Sequence, residues 1–190
     1  MVKNIRFEKI EVEKVHLNTL QGGTPGITPA IGETFAEAAA VCLEDQKHSS
    51  GVGINVNGDF SEAFAIAWDE TTDQMRRSWA DLQFATEMGA YGVAVVLLHE
   101  LTELTVVERS RKGTGFDFWL GIKNEIAKTL FQGKARLEVS GILNGDENTI
   151  RSRVRQKLRQ TNRSDGSLPA LIVIVEFSMP CSKVINKWKR

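Results

Sequence analysis

The sequence predicts an α+β domain in which a central mixed sheet is flanked by helices, and three observations carry that expectation. Short alternating or wholly apolar runs of strand length recur from one end of the chain to the other. A proline-free stretch from residue 71 to about 110 has the pattern of long helix. The chain has 190 residues, 42% hydrophobic and 25% charged, with no internal repeat or low-complexity tract, which is the length and balance of one large globular domain.

Taken in order, IRFEKIEVEKVHL alternates apolar and charged residues, as a half-buried strand does. The loop NTLQGGTPGITPAIGE follows, rich in glycine and proline, and Thr34 is placed to cap the helix FAEAAAVCLEDQKH. GVGINVNGDFSEAFAIAWDE offers two strands turned at Asn57 and Gly58, a dipeptide favoured in hairpins. The helical stretch comes next, with a break expected near Gly89 or Gly92, and its centre YGVAVVLLHELTEL is apolar on most sides and belongs in the core. Strands GFDFWLG and ARLEVSGI, the helix ENTIRSRVRQKLRQT and the strand PALIVIVEFS complete the order, and CSKVINKWKR reads as a short helix or a frayed basic end. The chain is therefore read as one domain over 1–190. It comprises a strand, helix and hairpin extension over 1–80, a core over 81–178 and a basic tail over 179–190.

Several classes are disfavoured by composition. No window has the apolar length of a membrane span and the start is charged, so the expectation is a cytoplasmic protein with no membrane partner. Cys42 and Cys181 stand alone in apolar surroundings and are read as packing residues rather than a disulfide or zinc framework. The formal net charge is zero, but residues 1–108 hold seven Lys and Arg against seventeen Asp and Glu, and residues 109–190 hold the reverse. Such asymmetry fits either a polyanion-binding face or mutual attraction of the two halves.

Chemistry concentrates in the second half. Strand parity places Asp117 and Trp119 on one face of GFDFWLG, and Arg136, Glu138 and Ser140 on one face of ARLEVSGI. If the two strands pair, Asp117 and Glu138 share a face, where a cation, a basic group or a shared proton must relieve their repulsion. Leu97, Leu101 and Leu104 recur at i, i+4 and i+7, and Glu108 continues their stripe at i+11, at the expected last turn of the long helix. A carboxylate there opposes the helix dipole, so a bound cation or the neighbouring Arg109, Arg111 or Lys112 would compensate it.

A helix, a strand with Asp, a strand with Glu-x-x, a helix and an apolar strand: this order resembles the PD-(D/E)XK, or restriction-endonuclease-like, nuclease superfamily over about Thr86 to Ser178. The resemblance implies a restriction-endonuclease-like core in the C-terminal part. It also implies a metal-dependent nuclease acting on DNA or RNA, as a subunit of a bacterial antiviral defence or DNA-processing assembly. Asp117 and Glu138 would then hold Mg²⁺, with Glu108 as a third acid. Two features depart from the family. Ser140 stands where the motif has its lysine, leaving the basic role to Lys112, Lys123 or Lys134 from a neighbouring element. The family core also has one more strand between the long helix and ARLEVSGI than the pattern reveals. The departures keep open an alternative, a catalytically degenerate relative that binds nucleic acid or assembles with a protein partner or with itself.

In ENTIRSRVRQKLRQT, Ile150, Val154 and Leu158 form the apolar stripe, and Arg151, Arg153, Arg155, Lys157 and Arg159 occupy the rest. Arg151, Arg155, Lys157 and Arg159 are the expected nucleic-acid contacts, since phosphate backbones are drawn to such a face largely irrespective of sequence. A solvated helix matched to the acidic first half is the competing reading. RKGTGFD lacks the strand-before, helix-after context of a phosphate-binding loop and reads as a tight turn delivering Asp117. HELTE is not a metal-binding HExxH, and Ser140 has no histidine near it in sequence.

Overall fold

The computed structural model describes residues 12–123, 135–162 and 168–187. Strand β1 is Glu13–His16, followed by a 3-10 turn at Leu17–Gly22 and helix α1 at Pro29–Asp45. Strands β2 (Val52–Gly58) and β3 (Glu62–Ala67) form the expected hairpin, but Asn57 and Gly58 end β2, and the turn falls after them. Helices α2 (Asp73–Ser78) and α3 (Leu82–Leu101) precede β4 (Leu104–Arg109), β5 (Phe118–Ile122) and β6 (Ala135–Ile142). Helix α4 (Glu147–Thr161), β7 (Ala170–Glu176) and β8 (Cys181–Lys187) end the order. All eight strands join one mixed sheet in the order β1-β3-β2-β8-β7-β6-β5-β4.

Two apolar layers sandwich that sheet. Helices α1 and α3 pack on one face together with Leu137, Val139, Leu171, Val173 and Val175. Helix α4 covers the other face, where Ile150 meets Ile142, Ile172 and Ile174. Strand β7 thus sends alternate side chains into two cores, which is why its sequence is apolar without alternation. Cys42 is buried in the larger core and Cys181 packs beside the smaller one.

Four local expectations are corrected. The N-cap of α1 lies six residues before Thr34: Thr28 is the N-cap and Pro29 the first helical residue, a position where the fixed φ of proline favours the helix and its missing N–H costs nothing. Helix α3 runs unbroken through Gly89 and Gly92, which lie where α1 crosses. A Cβ on Gly89 would sit 2.8 Å from the Ala39 Cα, and one on Gly92 2.8 Å from the Phe35 carbonyl oxygen. Residues 104–109 are strand rather than helix: the β-branched Thr105 and Val106 pair antiparallel with β5, and Val107 forms a bulge between Val106 and Glu108. Residues 181–187 are neither helix nor frayed end, because β8 pairs parallel with β2 and antiparallel with β7, joining the first strands to the last in one sheet.

Strand β4, like β8, is concealed by the sequence pattern. Its presence makes the second half a run of α3, three antiparallel strands, the crossover helix α4 and β7 parallel to β6. Among the described residues no helix is long and apolar enough to cross a membrane.

Candidate active site

Gly113 and Gly115, with φ of +96° and +85°, turn the chain from β4 into β5, a backbone region that side chains other than glycine rarely adopt. The turn closes with Ser110 N–H donating to the Asp117 carbonyl at 2.8 Å, and the Asp117 N–H donates to the Leu137 carbonyl at 2.8 Å. The β5–β6 pairing extends no further than Phe118 opposite Leu137. Beyond it the Asp117 side chain takes the next amide of β6: the Val139 N–H donates to Oδ2 at 2.9 Å. A carboxylate thus stands where the ladder stops, and a cleft of about 770 Å³ opens between α3 and α4 at that point.

Asp117 is held from the other side by Tyr91 of α3, whose phenol donates to Oδ1 at 2.9 Å. Tyr91 is buried between Phe35 and Phe118, and the Arg109 guanidinium lies 4.5 Å from its ring centre while donating to its oxygen at 3.1 Å. Burial and the adjacent Asp117 carboxylate push the Tyr91 pKa upward, so the phenol keeps its proton. Glu87 Oε1 is a second acceptor at 3.2 Å, but one proton serves Asp117 better at the shorter distance.

Glu138 is fully buried on β6 and forms an ion pair with Lys157 of α4 through Oε1. Its Oε2 has no hydrogen-bond partner among the described residues. Burial first, and the Asp117 charge second, push its pKa up to about 7 against the opposing pull of the Lys157 ammonium. Two residues on, the Ser140 hydroxyl accepts from Arg153 Nη1 at 2.7 Å.

Helix α4 is divided into three stripes by its 3.6-residue period. Ile150, Val154, Leu158 and Thr161 rest on the sheet, Thr149, Arg153, Lys157 and Gln160 line the cleft, and Arg151, Arg155 and Arg159 face solvent. The basic face expected from the sequence is therefore two faces. Arg151, Arg155 and Arg159 are exposed as expected, whereas Lys157 turns inward to Glu138.

The remaining predicted residues fall as follows. Asp117 and Glu138 line the same cleft, as their shared parity requires. Glu108 is not a helix residue: it is exposed on β4 opposite Trp119 and lies outside the cleft, because the leucine stripe that appeared to carry it ends with α3 at Leu101. Glu87 is the helix acid at the cleft instead, and its i, i+4 spacing to Tyr91 was the signal available in sequence. Lys112 is exposed on the turn before Asp117 and does not line the cleft. The Lys123 ammonium is bound to the carbonyls of His99 and Thr102 at the end of α3, where a cation complements the helix dipole. Lys134 lies outside the described residues. Tyr91 and Arg153 complete the cleft, and neither belongs to a recognisable sequence motif.

The oxygen donors of Asp117 and Glu138 suit a hard divalent cation, which would satisfy the buried Glu138 Oε2, an atom that accepts no hydrogen bond among the described residues. Among the described residues no group of three or more His, Cys, Asp or Glu is assembled for a metal. A pair of carboxylates is nevertheless the protein contribution typical for Mg²⁺, which keeps several waters and takes substrate phosphate oxygens. No family model matches the chain, and neither a curated protein nor a solved structure is significantly similar to it.

Proposed function

We propose that the chain is a metal-dependent nuclease-type domain of the PD-(D/E)XK kind, acting on phosphodiesters of DNA or RNA. One observation carries the reading: Asp117 and Glu138 line one cleft at the point where β5 and β6 part, and the crossover helix delivers Lys157 to Glu138 there. Lys157 supplies from α4 the ammonium that Ser140 does not supply from β6. The order of α3, β4, β5, β6, α4 and β7, including the strand β4 concealed in sequence, supports the reading further.

In this mechanism Asp117 and Glu138 would hold Mg²⁺, which when bound lowers the pKa of water and neutralises charge on phosphate oxygens. Tyr91 and the Val139 N–H fix both Asp117 oxygens, so the carboxylate is oriented before any ligand arrives. The Lys157 ammonium stays beside the reacting groups, able to orient a water or stabilise developing negative charge once its hold on Glu138 loosens. The test is cleavage of single- and double-stranded DNA and RNA by the purified chain in Mg²⁺ or Mn²⁺. Asp117→Asn and Lys157→Met are each expected to lower the rate at least 100-fold.

Ser140 in place of the motif lysine, and the closure of Glu138 by Lys157, favour a second reading, a catalytically degenerate subunit that binds nucleic acid or a protein partner. Absence of cleavage on every substrate with either metal, by protein that binds oligonucleotide, would select it.

A further inference from the structure

The cleft contains a cation that uses only one of its three nitrogens on the described residues. With all groups ionised, the charged side chains lining it among the described residues are Glu87, Asp117 and Glu138 against Arg153 and Lys157, a balance of one negative charge. Lys157 is committed to Glu138. Arg153 gives the protein one terminal nitrogen: Nη1 donates to Ser140 Oγ at 2.7 Å and approaches the Gly141 carbonyl at 3.4 Å. Its Nη2 and Nε make no hydrogen bond among the described residues. The guanidinium is therefore oriented by β6 while part of its planar fork remains available to an acceptor in the cleft.

The cleft also continues. Gln160 lines both it and a second depression of about 540 Å³, which is bordered by Gly113, Gly115, Gln156 and Arg159. The two glycines carry no side chain that would bar a strand from lying close to the backbone, and a Cβ at Gly113 would meet nothing within 4 Å. Arg159 is exposed one turn beyond Arg155 on the outer stripe of α4.

From these observations we infer that Arg153 is the phosphate seat of the cleft, gripping one phosphodiester of a nucleic-acid strand that leaves past Gln160 towards Arg159. The inference deepens the nuclease reading, on which it rests for the position of the reacting carboxylates, by assigning the anion-binding side of that site. A fork held in place by Ser140 is suited to a phosphate with two acceptor oxygens, which a lysine in the motif position would contact only as a point charge. The continuation beyond Gln160 fits a polymer rather than a free phosphate.

The test measures anisotropy of a short fluorescein-labelled oligonucleotide in EDTA and again in Ca²⁺, with inorganic phosphate as competitor and thermal melting as the check on folding. Arg153→Met is expected to weaken oligonucleotide binding about 10- to 100-fold, the range for loss of a charged hydrogen-bonded contact. Arg153→Lys should fall between, since it retains the charge without the fork. Inorganic phosphate should compete with the wild type and not with Arg153→Met. Wild-type affinity in Arg153→Met would overturn the inference, and a lowered melting temperature alone would assign Arg153 to holding Ser140. If Arg153→Met does not fold, wild-type affinity in Arg153→Lys overturns the fork. Cleavage that survives in Arg153→Met with unchanged KM would sink the inference and leave the nuclease reading standing. Arg153-dependent binding by a chain that cleaves nothing would do the reverse.

Discussion

Tyr91 on α3 donates its phenolic proton to Asp117 Oδ1 at 2.9 Å, across the gap between a helix and the start of β5. This contact links the apolar core to the cleft, because the Tyr91 ring is buried while its oxygen serves a half-exposed carboxylate. Tyr91→Phe keeps the ring and removes the link. Asp117 Oδ1 and Arg109 Nη2 each lose a partner, so urea denaturation should show a loss of about 1–3 kcal/mol. If Asp117 binds metal, Mn²⁺ affinity should fall as well, because a looser ligand must be ordered on binding. An unchanged Mn²⁺ affinity alongside the stability loss would restrict Tyr91 to a structural role.

Glu138 supplies the pH dependence. Its folded carboxyl is pushed up to about 7 from an ordinary 4.5, so between those values the folded chain binds more protons than the unfolded one. Stability contributed by this group is therefore greatest at acid pH and falls as pH rises through the window from about 4.5 to about 7. The loss is on the order of 3 kcal/mol for a buried group shifted by this much. Denaturation in EDTA at pH 5 and pH 7.5 should show the decline in the wild type and a flatter profile in Glu138→Gln. Equal slopes in the two proteins would mean that Lys157 keeps Glu138 ionised throughout.

Helix packing gives a prediction independent of function. Gly89→Ala puts a methyl 2.8 Å from the Ala39 Cα, a backbone atom that cannot turn away. Overpacking of this kind costs about 1–3 kcal/mol, which exceeds the roughly 1 kcal/mol that alanine contributes over glycine to an isolated helix. Thermal melting of Gly89→Ala should therefore be lowered, although the substitution improves helix propensity.

The outer stripe of α4 can be separated from the cleft by charge reversal. Arg151, Arg155 and Arg159 changed together to Glu should weaken oligonucleotide binding irrespective of sequence. Each lost contact with duplex DNA should remove about 0.9 from the slope of log affinity against log salt. Among the described residues Arg151 pairs only with Glu147, one turn away at 3.0 Å, an exposed contact, so the melting temperature should barely move. A large drop in melting temperature with an unchanged salt slope would instead assign these arginines to contacts within the protein.

Much of the second half was legible because its signals are local. Strand β6 and helix α4 have the extents expected from their apolar patterns, and the parity of Asp117 and Glu138 places both at one cleft. Strand β4 was not legible, since Leu97, Leu101, Leu104 and Glu108 satisfy helical spacing across a boundary that only pairing with β5 enforces. The same error placed Glu108 in the site and hid Glu87. Gly89 and Gly92 look like helix breaks in a linear reading, and only the approach of α1 shows why a side chain is excluded there.

The amino-acid sequence by itself determined where side chains alternate, which face of α4 is apolar, and that two acids on adjacent strands need compensation. It could not determine which base compensates them. Three stripes on α4 differ by about 100° of rotation per residue, so whether Lys157 meets solvent or Glu138 depends on how the helix rolls as Ile150, Val154 and Leu158 settle on β6 and β7. That roll is set by packing against residues distant in the chain, and it turns one basic helix into two surfaces: Arg153 and Lys157 towards the cleft, Arg151, Arg155 and Arg159 towards solvent.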